Sequence, residues 1–204
     1  MALAGQSALR MDASAASARM IPRPLRTVAE RRRESALVRE ASAGSSEAMG
    51  ALFRAHWPRA YRAAYLVVHD ATGAEDIAQE ALLSAIRALD RFDRSRPFGP
   101  WLHRIVVNRA IDWARARSLR REVAFDEGRP SEEESEASAG LSDDLVKALS
   151  KLSPEHRAVV VLRYVLDYTP GEIARQLELP RGTVNSRLRR GLDRLRAEIA
   201  EEPR

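Results

Sequence analysis

Apolar residues recur along the chain at helical spacing and fall into two dense blocks. In the first block, residues 34–122, the segment "TGAEDIAQEALLSAIRAL" places isoleucine, leucine and alanine on one stripe. The segment "WLHRIVVNRAIDWARARSLRR" has the same periodicity. Both segments are therefore predicted to be amphipathic helices that pack through their apolar stripes.

Local start signals predict where several of these helices begin. Thr72 with Glu75 three residues later matches a capping box, and Pro58 suits the first turn of a helix. In the second block, residues 142–200, Ser142 and Ser153 are predicted N-caps. Thr169 begins another helix there, with a proline at the first position and a glutamate at the third.

The run "AVVVLRYVL" in the second block is compatible with a strand or with a buried helix. The helix is preferred, because a cap and a proline precede the run and no partner strand is visible. Between the blocks, residues 123–141 are acidic and lack apolar periodicity, which predicts a flexible linker. Residues 1–33 are predicted to be a disordered tail. The expected fold is all-α: two small helical domains, of which the second has four helices.

Composition narrows the function classes. The chain has 204 residues, a formal net charge of +5 and no cysteine, so disulfides and thiol catalysis are excluded. No apolar run is long enough to span a bilayer, and the N-terminus lacks the apolar core of a signal peptide. We therefore expect a cytoplasmic protein without direct membrane insertion. The basic balance permits a nucleic-acid partner, although an arginine-rich genome would give the same bias.

The four histidines are scattered and form no metal-binding motif, and no phosphate-binding loop is present. We therefore expect no metal, no cofactor and no catalysis by this chain.

The segment "TPGEIARQLEL", a tight turn and "RGTVNSRLRRGLDRL" predict a helix-turn-helix. Val184, Leu188, Leu192 and Leu195 would face the core. Asparagine and arginine can bond base edges, whereas arginine and serine bond phosphates. A solvated basic helix is the alternative interpretation. The residues predicted to contact DNA are Arg181, Thr183, Asn185, Ser186, Arg187 and Arg190, with Arg187 and Arg190 assigned to phosphates.

The first block adds a second polar pattern. One helix carries an acidic polar face, and the next carries arginines interleaved with Trp101 and Trp113. Basic groups with aromatic rings suit single-stranded nucleic acid. Core packing is the alternative for Trp101, which shares a stripe with Leu102 and Ile105, and packing is preferred for Trp113.

These motifs occur in one order: "AEDIAQEAL", "PFGPWLHRIVVNRAIDWARAR", an acidic linker and "LSPEHRAVVVLRYVLDYTPGEIARQLELPRGTVNSRLRRGLDRLR". In this the chain resembles the extracytoplasmic-function (ECF) sigma factors of bacterial RNA polymerase, over about residues 35–198. The resemblance implies that the first domain binds the β′ clamp helices of core RNA polymerase and the −10 promoter element. It implies that the second domain binds the −35 element and the β flap, and that an anti-sigma factor is a partner.

The resemblance also implies roles for matching residues. The polymerase-binding residues would be Glu75, Asp76, Gln79 and Glu80, with Asp76 and Gln79 the first choices. The loop at residues 90–97 would capture a flipped base of the −10 element. The other −10 contacts would be Arg96, Phe98, Trp101, Asn108, Arg109, Asp112, Arg115 and Arg117.

Two other functions fit parts of the pattern. A conventional helix-turn-helix regulator would bind a palindromic operator as a dimer and would not need polymerase. An inactive paralogue would bind polymerase or an anti-sigma factor without opening promoters.

Overall fold

The computed structural model describes residues 27–124 and 136–201, and within them every regular element is a helix. The all-α fold class is therefore confirmed. The helices are α1 (Val28–Ser42), α2 (Ser46–Val68), α3 (Ala71–Arg87), α4 (Phe98–Ala124), a 3₁₀ helix (Glu136–Ser138), α5 (Asp143–Ser150), α6 (Pro154–Tyr164), α7 (Pro170–Gln176) and α8 (Arg181–Glu201).

Helices α1 to α4 surround a core in which α2 is central. Leu52 and Leu66 of α2, Leu82 of α3, and Leu102 and Val106 of α4 are almost completely buried. Leu82, Leu102 and Val106 belong to the two apolar stripes that the sequence predicted. Burial of leucine-sized side chains stabilises such a core by about 1.5–3 kcal/mol each.

Helix α1 begins earlier than expected. Thr27 and Glu30 form a capping box, in which the Thr27 hydroxyl accepts from the Glu30 amide and the Glu30 carboxylate accepts from the Thr27 amide. The prediction of a disordered tail up to residue 33 is therefore wrong for residues 28–33. Residues 1–26 of that tail lie outside the described residues.

Two predicted helix starts are also wrong. The N-cap of α3 is Asp70 rather than Thr72, because the Asp70 carboxylate accepts from the Gly73 amide at 2.7 Å. Pro58 lies inside α2 rather than in a first turn. Residues 46–57 precede it within one continuous helix, which buried contacts hold together despite the hydrogen bond that proline cannot donate.

Helices α5 to α8 form the second group, and its predicted starts are confirmed. Ser142 caps α5, Ser153 caps α6, and Thr169 with Glu172 forms a capping box at α7. The "AVVVL" run is a buried helix, as preferred from the sequence.

The two groups of helices pack against each other. Arg157 of α6 is 7% exposed and donates to the Leu149, Ser150 and Leu152 carbonyls of its own group. It also donates to the carbonyl of Val67 in α2. Burial lowers the pKa of Arg157 to about 10, so this guanidinium remains charged at neutral pH and its hydrogen bonds are charge-assisted.

The predicted linker, residues 123–141, is ordered at both described ends. Helix α4 extends to Ala124, and the 3₁₀ helix packs on α2 through Ala137, which is 3% exposed. Arg62 of α2 donates to the Ala139 carbonyl at 2.9 Å. Flexibility was therefore the wrong expectation for residues 136–141, and residues 125–135 lie outside the described residues.

Candidate nucleic-acid interface

The outer face of α3 carries the four residues predicted to bind polymerase. Glu75, Asp76, Gln79 and Glu80 are all exposed, whereas Ile77 on the opposite face is buried. Because Asp70 caps the helix, Glu75 has no capping function. These four side chains, the α3 polar face, therefore lie on a surface that a protein partner can reach.

The α3 polar face is joined to the basic residues of α4. Arg109 contacts the Glu80 carboxylate at 2.6 Å and donates to the Ser84 hydroxyl at 2.9 Å. A predicted DNA contact and a predicted polymerase contact are thus paired with each other. Both are substantially exposed, so the pair is worth about 1 kcal/mol or less and can exchange for other partners.

Two further arginines of α4 are also paired. Arg117 contacts Asp70 at 2.6 Å and lies 5.0 Å from the centre of the Trp113 ring. Arg115 contacts Glu155 of α6, in the second group of helices, at 2.6 Å. In this conformation each guanidinium is paired with a carboxylate, and a bound phosphate would compete with that carboxylate.

The pKa of Glu155 reflects this contact. Burial acts to raise the pKa, but a backbone hydrogen bond and Arg115 outweigh it, so the pKa lies below its ordinary value. The carboxylate is therefore ionised at neutral pH and attracts Arg115.

Three aromatic rings cluster where α4 begins. The Trp101 ring lies 4.7 Å from the Phe92 ring and 5.7 Å from the Phe98 ring, measured between centroids. Trp101 is half-buried, but Phe98 is 1% exposed. Direct contact of Phe98 with the −10 strand is therefore incompatible with this conformation. Phe98 instead packs against the ring of Trp101.

The other predicted −10 residues lie further along α4 and in the loop that precedes it. Asn108 is half-buried on α4 and Asp112 is exposed. In the preceding loop, Arg96 contacts Asp93 at 3.1 Å, and Asp93 accepts from the hydroxyl of Ser95 at 2.6 Å. The loop is thus organised by its own polar side chains.

Helix α8 presents the predicted recognition surface. Val184, Leu188 and Leu195 are buried and Leu192 is half-buried, as the heptad-like spacing predicted. Arg181, Asn185 and Arg190 are exposed, whereas Thr183, Ser186 and Arg187 are half-buried. The Ser186 hydroxyl donates to the Thr183 carbonyl at 2.9 Å, so it is engaged with the helix backbone.

His156 of α6, which had no predicted role, lies close to the arginines of this surface. Burial first, and then the charges of Arg187 and Arg190, lower the pKa of His156 below its ordinary value. Arg187 and Arg190 therefore lie close enough to the His156 ring to add to the effect of burial and disfavour its protonated form. No local pattern indicates this proximity, because His156 lies on α6.

Sequence reasoning also missed the contacts between the groups. His103 of α4 bonds Tyr168, and Arg104 pairs with Glu178, which precedes α8. The one sequence signal for contacts between the groups was Arg157, a charged residue at the edge of an apolar run. Residues 27–124 and 136–201 contain no helix with both the length and the hydrophobicity that a membrane span requires. In the same residues, no cluster of three or more acidic or histidine side chains is placed to hold a metal ion.

Comparison with known proteins gives consistent matches. The sigma-70 region 2 family matches residues 52–120, and the sigma-70 region 4 family matches residues 142–195. The ECF RNA polymerase sigma factor SigW of Bacillus subtilis is 32% identical over 178 residues, which span 80% of this chain and 95% of that protein.

Two solved structures are similar as well. CnrH in complex with the cytosolic domain of CnrY has a TM-score of 0.62 and 28% identity, covering 83% of this chain and 99% of CnrH. The sigma factor RpoE in complex with the anti-sigma factor NepR, from Bartonella quintana, has a TM-score of 0.62 and 25% identity. That match covers 76% of this chain and 98% of RpoE.

Proposed function

The chain belongs to the ECF sigma factors, which direct bacterial RNA polymerase to promoters, and we propose that its two domains divide promoter recognition between them. The first domain binds polymerase and the −10 element. The second domain binds the −35 element. The observation that carries this proposal is the exposure of two opposite chemistries, an acidic polar face on α3 and a basic face on α8.

The α3 polar face is the proposed polymerase contact. Asp76 and Gln79 lie one helical turn apart and both are exposed. Asp76 offers a carboxylate and Gln79 an amide group to a partner helix. The buried side of α3 packs in the core and holds the helix rigid. The β′ clamp helices are the proposed partner.

The proposed −10 surface comprises Trp101, Asn108 and the arginines of α4. Trp101 offers a half-buried ring for base stacking, which is worth about 1–3 kcal/mol per base. When the strand binds, Arg109, Arg115 and Arg117 would exchange their carboxylate partners for phosphates. Because Arg115 is held by Glu155, its transfer would accompany separation of the two domains.

The proposed −35 surface is the exposed side of α8. Asn185 has the amide geometry that reads adenine, and Arg190 has the charge that holds a phosphate. Neither domain needs high affinity by itself, since attachment of both to polymerase raises their effective concentration at the promoter.

The same proposal extends to partners and location. An anti-sigma factor is a proposed partner, because CnrH and RpoE were solved with CnrY and NepR. We place the protein in the cytoplasm, where polymerase acts. Catalysis belongs to polymerase, and this chain is proposed to supply recognition and strand opening without an active site of its own.

The test is run-off transcription with core RNA polymerase, the full chain and a promoter library. Sequence-selective transcripts should appear only when the chain is added. Replacing both Asp76 and Gln79 with alanine should abolish polymerase binding and transcripts together. Thr72→Ala is the matched control, because Thr72 is exposed on α3 and is not the residue that caps it.

Other outcomes would support the alternatives. Polymerase binding without any transcript would favour a paralogue that only titrates polymerase. Specific binding of the double variant to a palindromic site, with no effect on polymerase, would favour a conventional regulator.

A further inference from the structure

Two carboxylates of the second domain are paired with arginines of α4. Glu155, in the first turn of α6, contacts Arg115 at 2.6 Å. Glu178, in the turn between α7 and α8, contacts Arg104. Arg104 and Arg115 are separated by about three helical turns, so they lie on one side of α4, about 16 Å apart. The second domain therefore lies along this side of the helix.

The same side of α4 carries the proposed −10 surface. Trp101, Asn108 and Arg115 follow one another at a spacing of about two helical turns, which places them on one stripe. Arg104 lies between Trp101 and Asn108 along the helix and within about 60° of each around its axis. Both carboxylates of the second domain therefore hold arginines that lie on or beside the stripe that the −10 strand would contact.

Glu178 occupies a position where glycine is favoured. It follows Leu177, the C-cap of α7, and has a φ of +54°. Glycine adopts this left-handed conformation freely, whereas a residue with a Cβ adopts it at a cost in free energy. The turn is closed by the backbone, because the Leu179 amide donates to the Ala174 carbonyl at 2.9 Å. The turn itself therefore does not require a glutamate, and the Glu178 carboxylate contacts the other domain instead.

Buried contacts keep the two carboxylates close to the arginines. The Arg157 guanidinium, on the same helix as Glu155, donates to a carbonyl of α2. Tyr168 is 8% exposed and meets the ring of His103 on α4 at 2.8 Å. A carboxylate held in this way competes with a phosphate at the high effective concentration of an intramolecular partner.

The docked arrangement is too short to serve both promoter elements. The −10 and −35 elements are about 25 base pairs apart, which is about 85 Å along a duplex. The longest helices of the two domains, α4 and α8, are about 40 Å and about 32 Å long. Two such domains that touch along α4 cannot reach both elements. The docked arrangement therefore belongs to the chain before it binds a promoter.

We propose that the second domain inhibits −10 binding by the free chain, because Glu155 and Glu178 occupy the arginines of α4 in place of DNA phosphates. The inference rests on the proposed function and adds a regulatory contact to the same surface. A carboxylate is a suitable substitute, since the planar fork of arginine binds carboxylate and phosphate oxygens in the same way. Attachment of the two domains to separate sites on polymerase would withdraw both carboxylates and free the arginines.

The experiment measures binding of a labelled single-stranded −10 oligonucleotide to the free full chain and to holoenzyme. The oligonucleotide has the non-template sequence of a promoter that is active in run-off transcription. Glu155→Gln with Glu178→Gln should tighten binding by the free chain roughly tenfold, because two exposed ion pairs no longer compete with phosphates. In holoenzyme, where the domains are already apart, this variant should bind the strand like the unmodified chain.

The matched control is Asp144→Asn with Asp193→Asn, which also removes two exposed carboxylates from the second domain. Asp193 contacts Arg196 on its own helix at 3.2 Å. The control should bind the strand like the unmodified chain in both assays. Glu178→Gly should give part of the gain in the free chain. It should not lower stability in urea unfolding, because glycine relieves the left-handed residue.

Three results would overturn the inference. Equal binding of the strand by the free double-glutamine variant and the free control would show that the carboxylates do not compete with DNA, while leaving the proposed function intact. An equal gain in the free chain and in holoenzyme would assign the effect to net charge rather than to the docked domain. Failure of the unmodified holoenzyme to bind the −10 strand would overturn the proposed function, and the inhibitory contact with it.

Discussion

The ring of His103 and the hydroxyl of Tyr168 meet across the two domains, with 2.8 Å between Nδ1 and Oη. Both residues are buried, at 4% and 8% exposure. His103 lies on α4 among the proposed −10 residues, and Tyr168 precedes the helix-turn-helix. This hydrogen bond therefore couples the position of the second domain to the helix that carries the −10 surface.

Tyr168→Phe should weaken the contact between the domains. The substitution keeps the ring but removes the hydroxyl, so a buried hydrogen bond is lost at a cost of about 1–3 kcal/mol. The chain has no cysteine, so two introduced cysteines at exposed positions 54 and 196 can carry a fluorophore pair. Energy transfer between them should fall as the domains separate.

Tyr164→Phe is the control for that substitution, because Tyr164 is 47% exposed. It should leave both urea unfolding and energy transfer unchanged. Equal energy transfer in Tyr168→Phe and the unmodified chain would show that the hydrogen bond does not hold the domains together.

Gly73→Ala should destabilise the first domain. A Cβ at this position would lie 2.6 Å from Cζ2 of Trp113, and the rigid indole cannot move aside without disturbing α4. Overpacking of this kind costs about 1–3 kcal/mol, which exceeds the gain of about 1 kcal/mol from replacing a helical glycine. Urea unfolding gives the difference directly.

Gly171→Ala is the matched comparison, since nothing lies within 4 Å of a Cβ added there. It should leave stability unchanged or slightly increased. If both variants had the same unfolding free energy, the close packing of Trp113 on α3 would be wrong.

Stability should fall as the pH drops below about 6.5, partly through His69. Burial, and then the charge of Arg157, lower the pKa of His69 from 6.5 to about 3. Between these values the unfolded chain binds a proton that the folded chain does not. The free energy of unfolding therefore decreases with falling pH, by up to about 1.4 kcal/mol per pH unit from this residue.

His69→Asn should flatten that dependence, as measured by urea unfolding at pH 5 and pH 7. Asparagine is the suitable replacement, because residue 69 has a φ of +51° and asparagine tolerates the left-handed region. His156→Asn should remove a further part of the pH dependence of unfolding, since the pKa of His156 is lowered as well. An unchanged pH profile in His69→Asn would assign the dependence to other groups.

Two residues of α8 should affect the −35 element differently. Asn185→Ala should change which sequences are used, because an amide that reads a base edge contributes about 1–3 kcal/mol of discrimination. Arg190→Ala should weaken all −35 sequences similarly and reduce the salt slope by about 1. Transcription from a promoter library at two salt concentrations distinguishes these outcomes.

Much of the fold was determined by contiguous residues. Apolar periodicity located the helices of both blocks, and Ser142, Ser153 and Thr169 set three helix starts through bonds to amides a few residues away. The exposed face of α3 and the buried stripe of α8 followed from the same periodicity. The core-facing residues of α8 could therefore be assigned from the sequence alone, whereas Thr183, Ser186 and Arg187, predicted to contact DNA, are half-buried.

Tertiary structure decided what depends on residues far apart in the chain. Asp70 rather than Thr72 caps α3, and Arg117 of α4 holds the Asp70 carboxylate in place. Phe98 was assigned to DNA by its position in a motif, but packing against His56 and Phe92 buries it. The Asp70 cap itself is a local bond to the Gly73 amide, but the contact with Arg117 and the burial of Phe98 depend on residues that no local signal indicates.

The pairing of the charged residues was likewise invisible in the sequence. Arginines that periodicity places on a basic face contact Glu80 and Glu155 on other helices, and Arg157 reaches the Val67 carbonyl in the other domain. The sequence by itself determined which residues are charged and which helix face they occupy. Only the packing of the helices decided their partners, because an ion pair depends on the distance between side chains in space.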